Sequence, residues 1–108
     1  MKLDTNRTKM LPTNYFKNFL FWVDVTGDSM SPVLRSGHSY LASAWRSPRV
    51  GRIVVFVHPD SPHQRMVKRV VKITDQGYEV AGENAQSVSS DYIGVVAKYD
   101  IIGTLFRS

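Results

Sequence analysis

Residues 65–81 read RMVKRVVKITDQGYEVA, and this stretch decides the fold of the chain. Residues 65–74 are rich in β-branched side chains, which favour extended backbone. The next three residues, Asp75-Gln76-Gly77, are a tight-turn signal, and residues 78–81 return as a second apolar run. The sequence therefore predicts an antiparallel β-hairpin with its turn at residues 75–77.

Further short apolar runs lie on both sides of this hairpin. We predict strands at residues 38–42, 52–57 and 101–106, with a loop of turn-forming residues at 58–63. The aromatic residues at 15–23 are predicted to form a first strand or to cap the core. Outside this segment, no stretch of the sequence has a helical period beyond a turn or two. These features predict an all-β protein with a coiled, partly barrel-like antiparallel sheet.

The chain of 108 residues is long enough for one domain. Residues 1–14 are polar and are predicted to be a flexible N-terminal tail, and residues 15–108 are predicted to be a single domain. The longest nearly apolar stretch, residues 15–23, is much shorter than the about 20 apolar residues of a membrane-spanning helix. We expect no span, but peripheral contact of these aromatic residues with a membrane surface stays open.

The charge and the cysteine count restrict the chemistry. A formal net charge of +5 and a pI of about 9.7 favour anionic partners in general, or simply keep the protein in solution. The chain has no cysteine, which excludes disulfides, thiol catalysis and cysteine-ligated zinc and is typical of a cytoplasmic protein. The three histidines have no metal-ligand spacing, so we expect neither a metal nor another cofactor.

A serine lies in a turn that could activate it. Ser29 follows Gly27, which permits a tight backbone approach, and precedes Pro32, which suits the first turn of a short helix. Backbone N–H groups in such a turn could hold the oxyanion of a tetrahedral intermediate. Most turns of this composition are purely structural, so the turn alone is weak evidence.

A lysine lies inside the strand of the deciding stretch. Alternate side chains share a face of a strand, so Lys68 is predicted to lie between Met66 and Val70. Lys72 is predicted on the same face, but roughly 13 Å away, out of reach of the same hydroxyl. A lysine can act as a base only if the fold desolvates it and lowers its pKa. The structural alternative is an edge-strand lysine whose ammonium group stays in water.

Three segments together resemble one family. Residues 27–32, Gly-Asp-Ser-Met-Ser-Pro, look like the nucleophile box of the signal peptidase I family and its relatives, the self-cleaving domains of SOS-type repressors. Residues 66–70, Met-Val-Lys-Arg-Val, look like the general-base box of that family. Residues 82–84, Gly-Glu-Asn, with later serines and the Gly-Val-Val of residues 94–96, look like its third box.

This resemblance implies an endopeptidase with a Ser/Lys dyad. Ser29 would be the nucleophile and Lys68 the general base, as the family motif assigns them. The backbone around Ser29, with Met30 after it, would supply the oxyanion hole, and Gly27 stands where some relatives carry an additional serine donor. Ser87 would support the lysine amine, as a serine of the third box does in relatives. No metal or other cofactor is implied.

Among such peptidases, the chain is most similar to the small soluble proteases that mature nickel-type superoxide dismutase. The features are its length, the absence of a span, Val23 before the nucleophile box, and His58-Pro59-Asp60 before the lysine strand. This implies a cytoplasmic protein precursor as substrate, from which an N-terminal leader is removed. No upstream bond resembles the cleavage site of a self-cleaving repressor.

Three alternatives stay open at this point. The enzyme could act at a membrane surface through the aromatic residues at 15–23, or be a relative of the self-cleaving repressors. A different class is a non-enzymatic module that binds nucleic acid through its basic residues, which are Arg46, Arg49, Arg52, Arg65, Arg69 and Lys72. Aromatic residues are not interleaved with these charges in any recognition motif, so we do not expect nucleic acid as a partner.

Overall fold

A computed structural model describes residues 19–83 and 94–107. Within these residues there are seven β-strands and one short 3-10 helix, and no α-helix. The strands are β1 Phe21–Asp24, β2 Ser39–Ser43, β3 Ile53–His58, β4 Ser61–Thr74, β5 Gly77–Ala81, β6 Val95–Val96 and β7 Ile101–Leu105. The 3-10 helix, Lys98–Asp100, leads directly into β7.

All strands belong to one antiparallel sheet in the order β1-β2-β7-β3-β4-β5-β6. The last strand of the chain is inserted between β2 and β3, so the two halves of the sequence are joined through β7. The sheet does not close, because β1 and β6 stand at opposite edges of it. The predicted all-β class and antiparallel sheet are confirmed.

The predicted hairpin forms between β4 and β5. Its turn lies at Asp75 and Gln76, and Thr74 pairs with Gly77. Gly77 has φ +144°, and a Cβ there would lie 2.2 Å from the carbonyl oxygen of Val96. Glycine is therefore required at this position, because β6 packs closely against it.

The loop predicted at residues 58–63 is wrong. β4 begins at Ser61, and only Pro59 and Asp60 form the turn between β3 and β4. The Asp60 N–H donates to His58 Nδ1 at 3.0 Å, which closes this turn locally. Ser61 pairs with His58 and Arg65 pairs with Val57, so Pro62 and His63 lie in an irregular part of β4 between these two pairs.

A bulge in β4 changes the face on which Lys72 lies. Val70 pairs with Val80, whereas Lys72 pairs with Glu79, so Val71 is an additional residue in β4. Val80 and Glu79 are neighbours on β5 and point to opposite faces of the sheet. The prediction that Lys72 shares a face with Lys68 is therefore wrong, and Lys72 faces Glu79 instead.

Two hydrophobic cores flank the sheet. The first core consists of Val25, Met30, Leu34, Ala42, Ile53, Val55 and Leu105. The second core consists of Val54, Phe56, Val70, Val80 and Val96. Successive residues of β3 contribute to different cores, as alternation along a strand requires, so β3 is buried on both sides.

The segment after β1 forms turns rather than the short helix that Pro32 suggested. Leu34 N–H donates to the Met30 carbonyl, but this helical turn is not continued. Two bonds close the loop instead, since Val25 donates to His38 and Gly37 donates to Val25. Leu34 is fully buried in the first core, so the loop ends are fixed by packing and by the approach to β2.

Candidate functional site

A cleft of about 370 Å³ lies between β1 and β4. One wall is formed by residues 21–26 and the other by residues 64–67, with Ser29 and Val55 completing the lining. Phe21 and Val23 pack against the first core and present apolar surface to the cleft. Asp24, Thr26, Gln64 and Arg65 also line it, so the cleft is a groove of mixed polar and apolar character with a serine on its wall.

Unpaired strand edges border this cleft. β1 pairs only with β2 among the described residues, so its other edge carries backbone groups without strand partners. β4 pairs with β3 along its first half, whereas its pairing with β5 begins only at Arg69. Within residues 19–83 and 94–107, residues 64–67 thus have an edge to which an extended peptide can bind.

Ser29 lies in a β-turn at the end of the cleft. Ser31 N–H donates to the Asp28 carbonyl at 3.0 Å, so Ser29 and Met30 are the central residues of the turn. The bond that closes such a turn uses neither of the two central N–H groups. Gly27 has φ +85°, a conformation that favours glycine, and Met30 is buried in the first core. The turn is anchored by Met30 and leaves Ser29 half-buried at the cleft.

The carbonyl of Ser29 is bonded to the chain that follows β5. It accepts a hydrogen bond of 2.8 Å from the Glu83 N–H. The Glu83 carboxylate is bonded in turn to Arg69, which is the residue after Lys68 in β4. The structure thus brings the Ser29 backbone to the place where β4 and β5 begin to pair.

Lys68 is almost completely buried. It is 1% exposed and lies in β4 opposite Val54 of the second core. Val70 is a member of the same core and Met66 packs against it, so the predicted apolar neighbours are present. The alternative of an edge lysine with its amine in water is excluded.

Part of the predicted site lies outside the described residues. Ser87 and the rest of the third box after Glu83 lie outside them, as do residues 1–18. The support that Ser87 would give to Lys68 therefore stays a prediction, as do the catalytic roles of Ser29 and Lys68 and the roles of Gly27 and Met30. The N-terminal tail is untested in the same way.

Arg69 and Glu83 were not predicted to have a role in the site. Both stand in motif segments, but the sequence contains no pattern that pairs them, because they are separated by the whole β4–β5 hairpin. The cleft walls at residues 21–26 and 64–67 were also not predicted. Of the residues in these walls, only Val23 was singled out in the sequence, because it stands shortly before the nucleophile segment.

The histidines and acidic residues of the described chain form no metal-binding group. No group of three His, Asp or Glu side chains could hold a metal ion within residues 19–83 and 94–107. His58 belongs to the β3–β4 turn, and His63 is exposed on β4. In the same part of the chain no helix is long and apolar enough to cross a membrane.

Comparison with known proteins identifies a family. A family model described as Peptidase S24-like matches residues 2–106, which is almost the whole chain. No curated protein and no solved structure shows significant similarity to the chain. The match spans the serine turn, the lysine strand and both walls of the cleft.

Proposed function

This chain belongs to the Peptidase S24-like family, and from that premise we propose that it is an endopeptidase with a Ser29/Lys68 dyad. Family membership supports a serine peptidase-like function. The residue roles rest on the motif segments, on the position of Ser29 in the cleft wall and on the burial of Lys68, which follows the wall residue Val67 in β4. The burial of Lys68 is the single observation that carries the proposal, because a lysine is almost never fully buried without a specific reason.

The chemistry proceeds through an acyl-enzyme. Ser29 Oγ attacks the scissile carbonyl carbon while the neutral amine of Lys68 accepts the hydroxyl proton. The ammonium group then gives this proton to the departing amine as the peptide bond breaks. Water attacks the ester with Lys68 again as the base, and the serine hydroxyl is restored. The N–H groups of the Ser29 turn stabilise the oxyanion in both halves of the reaction.

The substrate binds as an extended chain. A peptide between β1 and residues 64–67 can form main-chain hydrogen bonds with the strand edges at the cleft. Apolar side chains of the peptide then face Phe21, Val23 and Val55. A folded domain does not fit this groove, so the scissile bond belongs to a flexible segment such as a leader.

The finer proposal is that the enzyme removes an N-terminal leader from a nickel-type superoxide dismutase precursor in the cytoplasm. It rests on the resemblance of residues 23–32 and of His58-Pro59-Asp60 to the proteases that perform this maturation. His58 and Asp60 have a local role here, since they close the β3–β4 turn behind the cleft wall. This turn sets where β4 begins and hence the length of the wall.

The experiment is cleavage of such a precursor by the purified chain, followed by sequencing of the new N-terminus. We expect one cut at the end of the leader, and complete loss of cutting in Ser29→Ala and Lys68→Met. Lys72→Met is the matched control, because Lys72 is exposed on the same strand and faces Glu79. Cleavage by folded Ser29→Ala or Lys68→Met would disprove the dyad, and cutting of other precursors alone would disprove the finer proposal.

A second candidate function is peptidase activity at an anionic membrane surface. We define the aromatic end as Phe19, Leu20, Trp45, Val50 and Phe106, all exposed where β1 begins and where β2 and β7 end. Phe19 and Trp45 are in ring contact at 4.4 Å, and the Arg46 guanidinium lies 5.2 Å from the Phe106 ring centre. Partial burial, followed by the charges of Arg46 and Arg49, holds the pKa of Arg52 below its usual range, so these arginines lie close together.

Such a combination of aromatic rings and arginines suits an anionic lipid surface. We expect sedimentation with phosphatidylserine vesicles, weak sedimentation with phosphatidylcholine vesicles, and reduced binding of Val50→Ser/Arg49→Gln. Tyr99→Ser serves as the control, because Tyr99 is exposed on the 3-10 helix outside this patch. If the protein sediments with neither kind of vesicle, activity at a membrane surface is ruled out.

A further inference from the structure

One hydrogen-bonded chain connects the serine turn to the lysine strand. The Glu83 N–H donates to the Ser29 carbonyl at 2.8 Å. The Glu83 carboxylate accepts from Arg69 Nε at 2.6 Å, and Arg69 Nη1 donates to the Gly51 carbonyl at 2.6 Å. Three segments that are distant in sequence meet at this pair.

The Arg69–Glu83 ion pair is partly buried, with side-chain exposures of 22% and 24%. Charge-assisted hydrogen bonds of this length are stronger and more directional than neutral ones. Arg69 uses separate nitrogen atoms for the carboxylate and for the backbone, so its guanidinium is held at two points. The pair is therefore a rigid connection, unlike a solvated surface ion pair.

The Glu83 bond gives the serine turn a second fixed point, in addition to Met30 in the first core. Lys68 is placed by the register of β4 with β3, whereas Ser29 lies in a turn outside any strand. Arg69 is the residue after Lys68 and pairs with Ile53 of the first core, whereas Lys68 pairs with Val54 of the second core, so the two side chains point to opposite faces of β4. Misplacing a nucleophile by about 1 Å can cost roughly a hundredfold in rate.

We propose that Glu83 and Arg69 are positioning residues that hold the Ser29 turn against the lysine strand. The proposal rests on the proposed function, since it assumes that Ser29 and Lys68 react together. Glu83 contacts the serine turn through its backbone N–H. The carboxylate of Glu83 binds Arg69, and this second contact fixes the position of the N–H. The pair thus determines the distance between nucleophile and base while touching neither the substrate nor the reacting atoms.

The first test is hydrogen–deuterium exchange on the intact chain, which needs no substrate. Glu83→Gln keeps the backbone N–H and the shape of the side chain but removes its charge. We expect faster exchange at residues 27–34 and unchanged exchange in β3 and β4. Glu79→Gln is the matched control, because Glu79 lies on β5 opposite Lys72 and away from the serine turn. Unchanged exchange at residues 27–34 in Glu83→Gln overturns the proposal.

The second test is kinetic and uses the nickel-type superoxide dismutase precursor. We expect kcat to fall roughly tenfold to a hundredfold in Glu83→Gln and in Arg69→Gln, with KM changed little. The double variant should lose no more than either single variant, because both act through one contact. Additive losses, or a loss that only matches the unfolded fraction, overturn the positioning role.

Different results contradict the proposed dyad and the proposed positioning role. If Glu83→Gln cleaves normally while Ser29→Ala and Lys68→Met are inactive, the dyad stands and the positioning role is wrong. If Ser29→Ala or Lys68→Met cleaves normally, the proposed function itself is wrong, and the positioning role, which assumes the dyad, falls with it.

Discussion

The burial of Lys68 is unfavourable for folding and is the main support for its proposed role as a base. A lysine in water is charged, and burying that charge in an apolar core costs several kcal/mol unless it is compensated. The strand register nevertheless holds Lys68 opposite Val54 with 1% exposure. In the proposed mechanism, the amine of this buried lysine accepts the hydroxyl proton of Ser29.

The dyad predicts how activity depends on pH. Lys68 is a base only when unprotonated, so kcat/KM should rise with pH by up to about tenfold per pH unit until the amine is neutral. The measurement is precursor cleavage between about pH 5 and pH 10, with circular dichroism at each pH to confirm folding. A flat profile in the folded enzyme would remove Lys68 from the role of base.

Thr104 predicts a gain in stability. Its hydroxyl is fully buried in β7 and has no hydrogen-bond partner among the described residues. Thr104→Val replaces this hydroxyl by a methyl group of similar size, and we expect the free energy of unfolding to rise by about 1 kcal/mol. The measurement is urea denaturation.

The neighbouring Ser43 provides the control for Thr104. Ser43 pairs with Thr104 in the sheet and is also buried, but its hydroxyl accepts a bond of 3.0 Å from the Trp45 N–H. Ser43→Ala should therefore lower the free energy of unfolding by about 1 kcal/mol. If both variants shift stability in the same direction, hydrogen bonding at these positions does not decide it.

At the level of elements, the β4–β5–β6 half of the sheet depends on one turn. β6 is only two residues long, and within residues 19–83 and 94–107 it pairs only with β5, with Val96 opposite Tyr78. The carbonyl of Val96 lies where a Cβ on Gly77 would be. The close packing of β6 on the hairpin turn therefore requires that residue 77 is a glycine.

Gly77→Ala should consequently be more harmful than another glycine substitution. Both Gly77 and Gly37 have positive φ, but an added Cβ at Gly37 meets no atom within 4 Å. We expect Gly37→Ala to cost about 1 kcal/mol from backbone strain, and Gly77→Ala about 3 kcal/mol because β6 must also move. Thermal unfolding of the two variants measures the difference, and equal costs would mean that β6 adjusts freely.

At the level of the whole molecule, the cleft exists because the sheet stays open. β1 is carried to one edge by its pairing with β2, and along residues 64–67 the edge of β4 that faces away from β3 has no strand partner among the described residues. If the sheet closed, these edges would pair with each other and leave no room for a peptide. The insertion of β7 between β2 and β3 keeps the two walls apart.

This architecture predicts that main-chain bonds to the cleft hold the substrate. A precursor peptide with N-methylated amides next to the scissile bond loses two donors, and we expect KM to rise about tenfold. The same modification far from the scissile bond should have no effect. Steady-state kinetics on the two peptides makes the comparison, and equal KM values would contradict strand-like binding.

The sequence alone determined the all-β class, the hairpin turn at residues 75–77 and the apolar neighbours of Lys68, Met66 and Val70. These features are encoded locally, because alternation and turn chemistry depend on residues that are close in the chain. The family resemblance in the same segments supplied the candidate nucleophile. Locally encoded features survive folding unless a tertiary contact is strong enough to override them.

The tertiary structure decided what depends on distant contacts. Pairing with β3 extended β4 to Ser61, a bulge moved Lys72 to the face of Glu79, and Glu83 met both Ser29 and Arg69. Register and loop closure are set by how whole strands pack, and no local pattern in the sequence records them. The position of the serine turn beside the lysine strand is therefore a property of the assembled sheet.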